Sequence, residues 1–156
     1  MKVIKIILAL LCVFFILAAN KAFRSGKVVK VRDGDTVEVV DGNNNRTVLR
    51  LAEVDCPEIR QPFGVSAKKF TAEQVYLKSV RYIVISKDRY GRSIAKIYYE
   101  GKYLSAEIIK NGMGWQYTKY SDSYKLKILE YKARLNKVGL WMNSDPTYPP
   151  EWRQRN

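Results

Sequence analysis

Arg50-Leu51-Ala52-Glu53-Val54-Asp55-Cys56-Pro57-Glu58 is the stretch around which the chain is arranged. It opens as a half-buried strand, with Arg50 and Glu53 set among the apolar residues Leu49, Leu51, Ala52 and Val54. It then runs into two acids and a proline. A strand that exits through Asp-x-Pro-Glu holds two carboxylates near one another on stiff backbone. One cation and two acids fixed in this way suit a site that grips a phosphate and a metal together.

Outward from this stretch the chain alternates strands with short turns. Lys27–Val31 reads as a first strand, the glycine of Asp33-Gly34-Asp35-Thr36 as a turn, and Val37–Val40 as a second strand. Asp41–Asn45 is a hairpin tip, and Arg46–Val54 is the third strand. The tip carries Asp41, Asn43 and Asn45 at EF-hand spacing. It fails as an EF-hand, because Arg46 stands at the glycine position and Ala52 at the closing glutamate. A loop over 57–64 leads to a helix over 65–77, a fourth strand over 80–86 and a fifth over 93–99. A helix over 104–111 stops at Gly112, and an aromatic loop spans 114–120. A last helix, capped by Ser121 or Ser123, runs to about Asn136. Trp115 and Trp141 read as packing residues. The sum is an α+β domain: a five-stranded barrel with three helices, a shape that binds nucleic acid on one face.

Composition narrows the chemistry. The 156 residues amount to about one domain. Lys and Arg total 28 against 15 Asp and Glu, a net charge of +13, which attracts polyanions. There is no histidine. That removes Ser-His-Asp and Cys-His hydrolysis and histidine zinc sites together. The cysteines are Cys12 and Cys56, and Cys12 lies in an apolar run, so the domain has neither an internal disulfide nor a zinc site. That run, Ile6–Ala19, follows a basic start and reads as a signal peptide or an uncleaved membrane anchor over residues 1–19. Losing it removes only Lys2 and Lys5, so +13 falls to +11.

Five blocks occur in order: Asp33-Gly34-Asp35-Thr36; Arg50 with Asp55-Cys56-Pro57-Glu58; Asp88-Arg89-Tyr90-Gly91-Arg92; Gly112-Met113-Gly114-Trp115; and Gly139-Leu140-Trp141. Together they resemble the staphylococcal nuclease (thermonuclease) family over about residues 26–141, with 142–156 left as a tail along the surface. The resemblance implies an OB-fold barrel. It also implies a calcium-dependent endonuclease that cuts DNA, or both DNA and RNA, with little sequence preference. Asp35, Asp55 and the backbone carbonyl of Cys56 would ligate Ca²⁺. Arg50 and Arg92 would hold the scissile phosphate, and Glu58 would position or deprotonate the attacking water. Tyr90 and Tyr120 would lie near a nucleotide's phosphate or base. Cys56 stands where the best-known member has threonine, and the loop from Ile59 to Gly64 is shorter than in that member. The expected protein is a monomer, exported or attached to a membrane through residues 6–19. The alternative is a non-catalytic module of the same fold that only binds nucleic acid or protein.

Overall fold

The computed structural model describes residues 23–155. The expected leader or anchor over residues 1–19 lies outside them. Strand β1 (Arg24–Val31) pairs antiparallel with β2 (Thr36–Val40), which pairs with β3 (Arg46–Leu51). Val28 and Val31 are both buried although they lie three residues apart. The register shift between Val28 and Lys30 accounts for this, because a bulge turns the next side chain back inward. Two more strands complete the wall. Strand β5 (Ser79–Lys87) pairs with β1, and β6 (Ser93–Tyr99) pairs with β5. Strand β6 then lies parallel to β3, with Leu49 opposite Ser93 and Leu51 opposite Ala95. That contact closes a five-stranded OB-type barrel. Its interior is filled by Val28, Val37, Val39, Leu49, Leu51 and Ile97, all essentially inaccessible.

The third strand is shorter than the sequence suggests. It stops at Leu51, and Val54–Asp55 forms a separate two-residue strand, β4, paired with β8 (Trp115–Gln116). Between them Glu53 takes a left-handed φ of 67°. Distant side chains hold this kink. The Ser105 hydroxyl donates to the Ala52 carbonyl at 2.8 Å, and the Tyr103 hydroxyl donates to the Glu53 carboxylate at 2.9 Å. Lys96 Nζ lies 2.9 Å from the same carboxylate. The kink directs Asp55 inward, where its side chain is fully buried.

Helix α1 (Gly64–Val75) follows β4 and packs against β1. The short strand β7 (Lys102–Tyr103) leads into α2 (Leu104–Lys110), and α3 (Tyr124–Leu135) packs against α2. Ser123 caps α3, accepting the Leu126 N–H as expected for a serine there. Trp115 and Trp141 pack edge to face at 5.3 Å, in a cluster with Ala133 and Leu140.

The described residues hold four helices where the sequence reading gives three. The fourth, α4 (Pro149–Arg155), lies in the supposed tail. Two prolines preset its first turn, with Glu151 near the start and Arg153 and Arg155 near the end. Seven residues make too short a helix to persist unaided. Docking holds it: Pro149 is buried, Tyr148 meets Trp115 at 5.8 Å, and Gln61 Nε2 donates to the Thr147 carbonyl at 2.5 Å.

Candidate active site

Asp35 closes the turn between β1 and β2. The β2–β3 register sets Thr36 opposite Arg50, so Asp35 arrives beside the arginine. The Leu51 N–H donates to the Asp35 carbonyl at 2.8 Å and fixes that approach. Below the turn, the Thr71 hydroxyl of α1 donates to the Gly34 carbonyl at 2.6 Å.

Arg50 links the two aspartates. Its Nε lies 3.0 Å from Asp35 Oδ1, and its Nη2 donates to Asp55 Oδ1 at 2.8 Å. Its Nη1 donates to the carbonyls of Leu51 and Val54. The kink after β3 thus serves as a socket for the guanidinium. The second oxygen of Asp35 accepts the Cys56 N–H at 2.8 Å. Asp35, Arg50, Asp55 and Cys56 therefore form one connected, buried group.

Burial pushes the Asp35 carboxyl well above the usual carboxylate range. Arg50 pulls the other way, while Asp33 and Asp55 add to the rise. Burial also works against the charge on Arg50, but Asp35 and Asp55 outweigh it and keep the guanidinium protonated. The Cys56 thiol is pushed up by burial and then by Asp35. It is wedged between two glycines: a Cβ on Gly34 or on Gly114 would stand 3.0 Å from its sulfur. Buried and held in the thiol form, it is a poor nucleophile.

Glu58 sits on the rim, its side chain 40% exposed. Its N–H donates to Gln61 Oε1 at 3.1 Å, and its carbonyl accepts the Gln61 N–H. This turn requires glycine at the head of α1, since a Cβ on Gly64 would stand 1.8 Å from the Glu58 carbonyl oxygen. Gly64→Ala should therefore displace the Glu58 turn and cost about 1–3 kcal/mol. Urea unfolding measures it, and an unchanged midpoint would show that the turn yields freely.

The remaining expected residues make their contacts with other partners. The Arg92 guanidinium is bound to Asp88, its Nε 2.6 Å from Oδ2, in the turn before β6. Tyr90 is exposed in that turn, with Arg89 4.8 Å and Arg92 5.6 Å from its ring. Tyr120 is exposed in a 3-10 turn after β8 and packs edge to face on Tyr117 at 4.9 Å. The sequence reading assigns no site role to Arg153, yet this residue of α4 contacts both Asp55 and Glu58. The prolines at 149 and 150 were the available signal for its helix.

The donors suit a hard divalent cation. Asp35 and Asp55 offer carboxylate oxygens, the one nearby sulfur stays protonated, and the chain has no histidine. Among the described residues no three acids or cysteines are grouped as a metal cage. A cation here would rest on the two aspartates and leave positions for other oxygens.

Known proteins resemble this chain. Residues 48–143 match the family described as Staphylococcal nuclease homologue. An "Uncharacterized endonuclease" of Haemophilus influenzae is 37% identical over 148 residues, covering 94% of this chain and 83% of the relative. A "Micrococcal nuclease" of Shigella flexneri is 32% identical over 141 residues, covering 83% and 80%. The "Staphylococcal-like nuclease CAN1" of Arabidopsis thaliana is 37% identical over 106 residues, 68% of this chain but only 33% of that protein. The family match spans residues 48–143, more than half of the chain, and so takes in Arg50, Asp55, Glu58 and Arg92, while the barrel sets Asp35 beside Arg50; the chain belongs to the staphylococcal nuclease homologues.

Proposed function

We propose that this protein is a Ca²⁺-dependent endonuclease that hydrolyses phosphodiester bonds of DNA and RNA with little sequence preference. The observation that carries this reading is the buried Asp35–Arg50–Asp55 group with Glu58 at its rim. The nuclease names of its relatives support it. So does the net charge of +13.

A bound Ca²⁺ would supply positive charge to phosphoryl oxygens as bond breaking builds negative charge there. Within the chain, Arg50 keeps the two aspartates together despite their like charge. Glu58 is the carboxylate with solvent access, and it accepts a proton from water or orients it. Arg92, partly exposed, turns from Asp88 toward the phosphate, for which its forked guanidinium is suited. Tyr90 and Tyr120 offer exposed rings on which a base can stack. The scattered lysines attract the backbone without reading sequence. The apolar run at 6–19 supports export or membrane attachment, which fractionation of cells making the full chain separates.

The decisive assay incubates the full chain with labelled DNA and RNA, with Ca²⁺ and with a chelator. Cleavage is expected only with Ca²⁺, and added salt should weaken it. Intact substrate under both conditions would leave a nucleic-acid-binding module instead.

A further inference from the structure

Arg153 approaches the site from the far end of the chain. Its Nη1 donates to Glu58 Oε1 at 2.7 Å, and its Nη2 donates to Asp55 Oδ2 at 2.7 Å. Nη1 also lies 3.4 Å from Asp55 Oδ1. One planar fork therefore spans two carboxylates. Among the described residues, Arg153 is the hydrogen-bond partner of the Glu58 carboxylate.

The approach is built rather than incidental. Gln61 accepts the Glu58 N–H through its amide oxygen and donates to the Thr147 carbonyl through its nitrogen. The loop carrying Glu58 and the segment carrying Arg153 are thus tied through one side chain that is only 5% exposed. Tyr148 on Trp115 and the buried Pro149 then seat α4 on the domain. Glu58 alone would be a flexible rim carboxylate, repelled by Asp55. The fork converts that repulsion into a fixed separation, which a planar guanidinium does and an ammonium does only in part.

We propose that Arg153 is a positioning residue of the site: its guanidinium sets the Glu58 carboxylate beside Asp55, ready to handle water at the scissile phosphate. The inference rests on the nuclease reading. It is the opposite of a latch. A guanidinium that merely competed with a cation for Asp55 would hold activity down, and its removal would raise cation affinity and rate together.

The test compares the full-length wild type with Arg153→Gln, Arg153→Lys, Glu58→Gln, the Glu58→Gln/Arg153→Gln double variant and Arg155→Gln. Arg155 shares the helix but pairs only loosely with Glu151, at 3.9 Å. Rates on labelled DNA with Ca²⁺, calorimetric Ca²⁺ titration and thermal unfolding are read for each. Arg153→Gln should lower kcat by about 10–100-fold, with KM and melting temperature little changed and Ca²⁺ bound no more weakly than in wild type. Arg153→Lys should recover part of the rate, and Arg155→Gln should match wild type. The double variant should be no slower than Glu58→Gln, because Arg153 acts through Glu58.

Wild-type rate in Arg153→Gln overturns the inference. So does tighter Ca²⁺ binding with a faster rate, which is the latch, and so do losses that multiply in the double variant. A loss in Arg153→Gln that follows its melting temperature, with Arg153→Lys at full rate and stability, would reduce Arg153 to a structural role. A wild type that leaves DNA whole with Ca²⁺ removes the nuclease reading itself, a result distinct from all of these.

Discussion

Arg50→Met should destabilise the folded protein by about 3–5 kcal/mol, seen as a large fall in the urea midpoint. The side chain is 10% exposed and faces Asp35 and Asp55 at 3.0 and 2.8 Å. Methionine fills much of the volume but supplies no charge and no donors. Two buried carboxylates would then confront each other, and the carbonyls of Leu51 and Val54 would lose their donor. Arg153 reaches Asp55 but not Asp35, so it offsets only half of the loss. Arg50→Lys should recover only part, since an ammonium cannot span both acids and two carbonyls at once. A midpoint for Arg50→Met near that of wild type would mean that the aspartates need no bridge. Arg50 would then be free to serve substrate alone.

Glu58→Gln should lower kcat on DNA by about 10²–10⁴-fold, the usual contribution of a positioned base. KM and the melting temperature should hardly move. The side chain is partly exposed and its contact is Arg153, which glutamine satisfies through its oxygen. Single-turnover cleavage by the purified variant, at saturating Ca²⁺, is the measurement. A variant that cuts at full rate removes Glu58 from the chemistry and leaves the aspartates and arginines to carry it. The two substitutions separate the roles: Arg50 is tested through folding and Glu58 through turnover.

The first hairpins of the barrel and the approach of Asp35 to Arg50 were legible because they are local in sequence. Alternation gives β2 and β3, the Asp41–Asn45 tip gives their register, and the register brings Asp35 to Arg50. The tip itself closes on Asp41, which accepts N–H groups from Asn43 and Asn45, so no vacant ion loop remains there. The break after Leu51 was not legible. It depends on Lys96, Tyr103 and Ser105, which lie far along the chain, and a window on Arg46–Val54 sees only a continuous strand. Helix α4 was hidden for the same reason. Seven residues carry too little periodicity, and its stability comes from Gln61 and Trp115. Arg92 was legible as a residue but not as a contact, since its tie to Asp88 is a property of a tight turn.

The position of Cys56 has a consequence for its reaction with oxidants. Glutathione or peroxide can reach a thiol only along an open path, and here Gly34 and Gly114 close over the sulfur. Any adduct would need space that exists only after the barrel opens. Modification of this cysteine by a bulky reagent should therefore be slow while the fold is closed. A sulfur so placed is shielded from bulky oxidants while the barrel stays closed.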